Sequence, residues 1–177
     1  VMVGIAVNVV AGGSRTPKAG RGPSRGYPAC AMRIALGSDH AGYRMKEHLA
    51  AWLAESGHAV YDLGTHSEDP VDYPDYAASV SRAVLDGRAD RGIVVCGSGA
   101  GAAVAANKLT GIRAAVAHDG YTARQMVEHD DVNVLCLGAR VVGPALAEDL
   151  VRTFIEAKFT REDRHLRRLE KIRALEQ

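Results

Sequence analysis

The sequence has few cysteines, almost no net charge and no long apolar run, and each absence excludes a class of protein. Its 177 residues include only three cysteines, Cys30, Cys96 and Cys136, which lie far apart. An odd count without C-x-x-C spacing argues against a disulfide framework and a zinc site, so we expect no metal. The formal charge of +1 gives no general signal for nucleic acid or lipid. No apolar stretch approaches the roughly 18 residues of a membrane span. We therefore expect neither a nucleic-acid nor a membrane partner.

Acidic residues are missing from the first 31 positions, which carry four basic residues and many glycines and prolines. This composition cannot build a packed core, and it predicts a disordered leader over residues 1–31. Met32 is a candidate natural start, and residues 32–177 are then expected to form one domain. No basic residue precedes the apolar first residues, and no cleavage signal follows them. We therefore expect a cytoplasmic protein without a signal peptide.

Apolar runs alternate with amphipathic segments along the rest of the chain. Strands that are apolar throughout, separated by helices, indicate a parallel sheet covered on both faces. The predicted strands are Met32–Gly37, His58–Leu63, Gly92–Cys96, Arg113–Ala117 and Asn133–Leu137. The predicted helices cover Tyr43–Ser56, Pro74–Gly87, Gly101–Leu109 and Asp119–Glu128, a segment marked by Leu146, Leu150 and Phe154, and a basic last helix over Arg161–Glu176.

Polar residues follow three of the predicted strands. Asp39 and His40 come after the first strand, Cys96 ends the third, and Arg140 follows the fifth. Ligands of open α/β sheets bind outside the carboxyl ends of the strands. These ends are therefore expected to converge on a binding site.

Cys96 is followed by Gly97-Ser98-Gly99-Ala100-Gly101, a loop that leads into a helix. Glycines let the backbone approach a ligand closely, and N–H groups at a helix start suit anions and developing negative charge. A thiol in this place is a candidate base or nucleophile. The alternatives are an inert core cysteine and a tight turn that merely needs glycine.

The same loop also fits a dinucleotide-binding fingerprint. Gly97-x-Gly99-x-x-Ala102 has the required spacing, and Asp119 lies where an acid would meet a ribose hydroxyl. A short following helix, a place on the third strand and a thiol without a role in cofactor binding argue against this interpretation.

Two histidines and two arginines are further candidates. Histidine is the side chain that titrates near neutral pH, so His40 is either a functional group or a solvated turn residue. His129 is either functional or a helix-end residue. Arg164 and Arg168 share one helix face and form either a phosphate clamp or a solvated basic surface. We interpret the remaining histidines outside the last helix as surface residues, namely His48, His58, His66 and His118.

A series of motifs from Met32 almost to the end resembles the ribose-5-phosphate isomerase B family, which includes galactose-6-phosphate isomerase subunits. The matching stretches are Gly37–Gly42, Asp72–Pro74, Cys96–Gly101, Ala105–Lys108, Gly111–Ala114, His129–Leu135, Gly138–Gly143, and Arg164-His165 with Arg168. Because several spaced motifs occur in one order, the resemblance is more specific than the glycine loop alone. It does not reach residues 1–31.

The resemblance implies a Rossmann-like three-layer α/β/α sandwich and an aldose–ketose isomerase of the pentose phosphate pathway. The substrate would be ribose 5-phosphate, isomerised to ribulose 5-phosphate without a cofactor, in a homodimer or homotetramer with sites at the subunit interface. In the family, the cysteine matching Cys96 is the base, the histidine matching His129 opens the sugar ring, and the glycine loop holds the enediolate. Substrate-binding positions match Asp39, His40, Gly97, Ser98, Gly99, Ala100, Gly101, Asp130, Arg140, Arg164 and Arg168.

One branch of the family lacks the cysteine and uses a glutamate shortly after the loop. No carboxylate lies near Val104, whereas Cys96 is present, which places the chain in the cysteine branch. The resemblance leaves the preferred sugar open, because allose 6-, galactose 6- and tetrose phosphates are alternatives. A non-catalytic sugar-phosphate-binding protein is a further alternative, although a binder needs neither Cys96 nor His129.

Overall fold

Five short apolar segments pair as parallel strands in the computed structural model, which describes residues 31–176. Their β-branched and small side chains suit a sheet that is buried on both faces. The strands are Arg33–Ser38 (β1), Ala59–Asp62 (β2), Arg91–Cys96 (β3), Ala114–Val116 (β4) and Val134–Gly138 (β5). The helices are Tyr43–Glu55 (α1), Tyr73–Leu85 (α2), Ala100–Ala106 (α3), Gly120–Asp130 (α4), Pro144–Glu156 (α5) and Asp163–Arg173 (α6).

The strands lie in the order β2-β1-β3-β5-β4. All four pairings are parallel, with register pairs such as Leu36 with Ile93 and Val94 with Cys136. This arrangement confirms the predicted three-layer α/β sandwich with a five-stranded parallel sheet. The chain departs from β1 and β3 in opposite directions, which opens a crevice at their carboxyl ends.

The two faces of the sheet carry separate apolar cores. Ile34 and Leu36 of β1 point to one core, which α1, α4 and α5 cover, whereas Ala35 points to the other. The second core lies under α2 and the short α3, and it includes Val94, Cys96 and Cys136. Alternation along the strands therefore places Cys96 on the α2–α3 side of the sheet.

Helix ends follow local sequence signals in two of the clearest cases. Asp119 caps α4, because its carboxylate accepts hydrogen bonds from the Thr122 N–H at 2.8 Å and the Thr122 hydroxyl at 2.7 Å. Gly57 follows α1 with a φ of +87°, a conformation that glycine adopts without a Cβ penalty. The basic last helix is shorter than predicted, and Arg161 precedes it with a φ of +56°.

Lys46 is the largest fully buried side chain that carries a charge. Its Nζ donates to the carboxylates of Asp62 and Glu47, so the buried ammonium is paired as the low dielectric requires. Asp62 in turn accepts the N–H of Gly64 at 2.9 Å, and the Gly64 carbonyl accepts the N–H of Ser38 at 2.6 Å. Lys46 therefore braces the loop after β2 against the end of β1.

Nearly all of the predicted leader, residues 1–30, lies outside the described residues, as does Cys30. Among residues 31–176, no helix combines the length and the apolar character that crossing a membrane requires.

Candidate active site

Three loops meet at the carboxyl edge of the sheet, after β1, β3 and β5. A Cβ on Gly42 would lie 2.3 Å from the Val95 carbonyl oxygen, and one on Gly138 would lie 2.7 Å from the Ser98 carbonyl carbon. Only glycine allows these approaches, so both glycines draw the neighbouring loops against the end of β3. We call the residues at this edge the thiol cluster: Asp39, His40, Cys96, Gly97, Ser98, Gly99, Ala100, Gly101 and Arg140.

Cys96 lies at the centre of the thiol cluster. Its side chain is 4% exposed, and its Sγ accepts the backbone N–H of Gly99 at 3.1 Å. Gly99 has a φ of +83°, a left-handed conformation that turns its N–H back toward the strand end. The turn therefore holds the thiol beside a backbone N–H at the strand end, in a place suited to a base.

Asp39 and His40 are fixed by backbone contacts on the neighbouring strand end. Asp39 is buried, its N–H donates to the Val95 carbonyl at 3.3 Å, and its Oδ1 accepts the N–H of Gly42 at 2.9 Å. The Nδ1 of His40 lies 3.2 Å from both the N and the O of Val71. The β1 loop therefore presents a carboxylate and an imidazole beside the thiol loop.

Arg140 reaches the same edge from the loop after β5. Its backbone N–H donates to the Gly97 carbonyl at 3.1 Å, and a Cβ on Gly97 would lie 3.9 Å from its Nε. Arg140 is exposed, so its positively charged guanidinium can bind an anion next to the glycine loop.

The remaining predicted site residues lie elsewhere in the chain. His129, Asp130, Arg164 and Arg168 form a second group, the histidine cluster, at the end of α4 and on the first half of α6. The α4 helix begins after β4 and ends before β5, so its last turn lies at the amino edge of the sheet. Arg113, just before β4, confirms this place because its Nε donates to the carbonyls of Asp130 at 3.1 Å and Asp131 at 2.7 Å.

The resemblance implies sites at a subunit interface, and within one chain His129, Arg164 and Arg168 do not lie beside Cys96. A strand of five residues, such as β5, spans about 15 Å, and the two clusters lie at its opposite ends. Within one chain the structure therefore brings together the thiol cluster but not the histidine cluster.

Two side chains beside these clusters were not singled out from the sequence. The Tyr73 ring lies against Gly101, where a Cβ would approach its Cζ to 2.8 Å. The His165 ring stacks on His129 with centroids 4.2 Å apart. Both belong to quoted motifs, but only the packing of α2 on α3 and of α6 on α4 reveals their contacts.

Two sequence interpretations need correction or lose support. His58 is buried, so it is not a surface residue. Its Nδ1 accepts the N–H of Met32, just before β1, at 3.3 Å. Asp119, the acid of the alternative dinucleotide fingerprint, caps α4, and its carboxylate already accepts two hydrogen bonds from Thr122. That capping role weakens the fingerprint interpretation of the glycine loop.

The two buried cysteines differ in chemical setting. Burial, with a smaller effect from Cys96, raises the pKa of the Cys136 thiol well above its ordinary value. Cys136 therefore stays protonated in the core and is no candidate base. In the part of the chain that the structure describes, no three His, Cys, Asp or Glu side chains form a metal-binding group.

Comparison with known proteins shows which family the sequence belongs to. The sequence model of a family described as Ribose/Galactose Isomerase matches residues 34–172. Ribose-5-phosphate isomerase B of Escherichia coli strain K12 is 45% identical over 145 residues, which are 82% of this chain and 97% of that protein. D-erythrulose-4-phosphate isomerase of Pectobacterium atrosepticum is 38% identical over 130 residues, which are 72% of this chain and 85% of that protein.

A solved structure gives the same result. The ribose-5-phosphate isomerase B of Clostridium thermocellum superposes with a TM-score of 0.80 at 50% sequence identity, covering 82% of this chain and 97% of that one. The fold and these relatives define a sugar-phosphate isomerase, an aldose–ketose isomerase that acts on a phosphorylated sugar. The chain belongs to the Ribose/Galactose Isomerase family.

Proposed function

We propose that this isomerase interconverts ribose 5-phosphate and ribulose 5-phosphate through an enediolate, with Cys96 as the base. The observation that carries the proposal is the Cys96 Sγ, which receives the Gly99 N–H at the end of β3 beside a glycine loop. The names of the E. coli and C. thermocellum relatives, at 45% and 50% identity, support ribose 5-phosphate as the substrate.

The chemistry requires a base near carbon and donors for a developing oxyanion. The Cys96 thiolate removes the proton from C2 of the open-chain aldose, and the C–H electron pair forms the C1–C2 double bond. The negative charge moves to O1, which the Gly97–Gly101 backbone stabilises. Cys96 then returns the proton to C1, while O2 loses its proton and O1 gains one, giving the ketose. Removing one good oxyanion donor costs roughly 10²–10³ in rate.

Ring opening is assigned to His129 in this proposal. Since His129 and Cys96 lie at opposite sheet edges of one chain, a second copy must supply the histidine cluster to each thiol cluster. We therefore propose a homodimer or homotetramer with its sites at the subunit interface.

The other polar groups bind the substrate. Arg164, Arg168 and His40 are proposed to hold the phosphate, since guanidinium forks match phosphate oxygens. We propose that Asp39 and Asp130 bind the sugar and that Arg140 binds the nearby negative charge of the substrate. The phosphate does not react, so its binding energy orients the reacting carbons.

The preferred sugar is tested by initial rates on ribose 5-, allose 6-, galactose 6- and erythrose 4-phosphate. We expect the largest kcat/KM for ribose 5-phosphate. If kcat/KM for another sugar phosphate is at least about tenfold higher, that sugar phosphate replaces ribose 5-phosphate as the proposed substrate. The D-erythrulose-4-phosphate isomerase among the relatives makes the four-carbon substrate the informative competitor.

No cofactor takes part in the proposed reaction. Calorimetry with NAD is expected to give no heat of binding, because Asp119 is engaged by Thr122. Tight NAD binding would restore the dinucleotide interpretation of Gly97–Ala102.

A further inference from the structure

We propose that His165 is a positioning residue that holds the ring of His129 in place. This inference builds on the proposed ring-opening role of His129. His165 lies in the first turn of α6 and is fully buried, and its ring stacks on that of His129 with centroids 4.2 Å apart and an interplanar angle of 32°.

A chain of hydrogen bonds ties His165 to the end of α4. The Thr160 hydroxyl donates to the Glu128 carbonyl at 2.9 Å, and the same Oγ1 lies 2.8 Å from His165 Nδ1. A hydroxyl has one proton, and Thr160 uses it in the hydrogen bond to the Glu128 carbonyl. Nδ1 must therefore be the donor to Oγ1. This places a proton on Nδ1 of His165, and the state of Nε2 then decides whether the ring is neutral or charged.

The other ring nitrogen of His165 agrees with a neutral ring. Nε2 is buried and has no hydrogen-bond partner among the described residues. A proton there would leave a charged group buried without compensation, which is costly. An unprotonated Nε2 costs less, so the ring remains neutral.

The charged groups around this ring oppose its protonation as well. Burial is the main cause that lowers the pKa of His165, followed by the neighbouring His129 and Arg164, with a smaller effect of Arg168. Glu162, which precedes α6, acts in the other direction. A neutral His165 can stay stacked on His129 without repelling it when His129 gains a proton.

The hydrogen bond between Thr160 and His165 can be tested without disturbing the packing of the stack. Thr160 is exposed and still anchors its backbone N–H to the Glu128 carbonyl at 3.0 Å, so its hydroxyl can be removed with little loss of packing. Thr160→Val deletes the hydroxyl at almost constant volume. Thr160→Ser restores it, and Thr110→Val changes an exposed threonine that belongs to neither cluster.

The first test reads the tautomer directly. Nitrogen-15 NMR of the full chain at about pH 8, above the usual histidine pKa, should show His165 protonated on Nδ1. In Thr160→Val the proton should move toward Nε2, and the ring signals of His129 should shift. Thr160→Ser and Thr110→Val should match the wild type. A wild-type His165 with its proton on Nε2 would overturn the inference.

The second test is a double-mutant cycle on isomerase activity. Thr160→Val and His165→Phe should each lower kcat/KM about tenfold in the wild-type background and should not change the small residual kcat/KM of His129→Ala, which is measured at raised enzyme concentration. Equal losses in both backgrounds would show a merely structural role. Full activity of His129→Ala would instead remove the proposed ring-opening role of His129, and the NMR result would still decide whether His165 orients it.

Discussion

At the residue scale, the two buried cysteines show how position decides chemistry. Cys96 and Cys136 point to the same core, on neighbouring strands. Cys96 ends its strand and accepts the Gly99 N–H, whereas Cys136 lies mid-strand, where burial raises its pKa. The sequence could rank them because a glycine loop follows one and not the other.

The burial of His58 could not be predicted from local sequence, since a histidine at the start of a strand is commonly exposed. Its ring is covered because the chain around Met32 packs over it. Burial lowers the pKa of His58, and the charge of Glu156 offsets part of this shift.

We predict that this histidine makes the protein less stable in acid. Because the folded-state pKa is lowered, the unfolded chain binds the proton more readily as the pH falls through the usual value of about 6.5. The stability that the neutral ring provides is therefore present above that pH and is lost progressively below it. Thermal unfolding should show a falling Tm from about pH 8 to about pH 5.5.

The matched substitution isolates the His58 part of that slope. His58→Gln keeps an oxygen that can accept the Met32 N–H but does not titrate, so its Tm should fall less steeply with acid. His118→Gln, at an exposed position, should keep the wild-type slope. Identical slopes for all three proteins would show that His58 does not contribute.

At the element scale, the order and type of strands and helices could be predicted, and their exact ends could not. Apolar runs and the period of Met45, Leu49 and Leu53 identified β1 and α1 because burial imposes those patterns. The α6 helix begins at Asp163 rather than Arg161, since Arg161 adopts a left-handed turn that its side chain does not signal.

The contact between α2 and the glycine loop is also invisible in the sequence. Tyr73 opens α2 and lies over Gly101 in the first turn of α3, although 28 positions separate the two residues in the chain (101 minus 73). Such a long-range contact depends on how the helices pack on the sheet, not on either motif alone.

We predict that Gly101→Ala lowers activity more than stability. The new Cβ would lie 2.8 Å from Tyr73 Cζ, so the ring or the loop must move. Alanine also gains about 1 kcal/mol of helix propensity over glycine, which offsets the strain in the free energy of unfolding. We expect kcat/KM to fall about tenfold, with a small change in Tm.

The matched control is Gly120→Ala in the first turn of α4, where a Cβ meets nothing within 4 Å. It should keep wild-type kcat/KM and unfold at an equal or higher Tm. Wild-type kcat/KM for Gly101→Ala would show that Tyr73 and the loop tolerate the displacement and that their contact is not tuned for catalysis.

At the scale of the whole molecule, topology separates the residues that the sequence suggested for one site. Motif spacing identified Cys96 and His129 as candidates, but it cannot show which edge of the sheet each occupies. The β4–α4–β5 connection decides this, because β4 and β5 are parallel, so α4 runs antiparallel to both and carries His129 back to the amino edge.

We predict that two variants with only residual activity complement each other. Cys96→Ala retains an intact histidine cluster, and His129→Ala retains an intact thiol cluster. Random pairing makes half of the dimers mixed, and each mixed dimer holds one intact site of two. A 1:1 mixture, unfolded and refolded together, should therefore recover about a quarter of wild-type activity.

Each variant treated alone is the control and should keep only its residual activity. A mixture that shows only this residual activity, while refolded wild-type protein regains its activity, would contradict a site shared between two copies.

The measurement that tests the central claim most directly is the initial rate of ribose 5-phosphate isomerisation by Cys96→Ala, with substrate binding followed by calorimetry. Cys136→Ala is the matched control, since it removes a buried thiol that stays protonated and costs about 1 kcal/mol of stability. The account predicts that Cys96→Ala binds the substrate and loses nearly all turnover, whereas Cys136→Ala keeps its turnover. Retained turnover in Cys96→Ala would contradict Cys96 as the base.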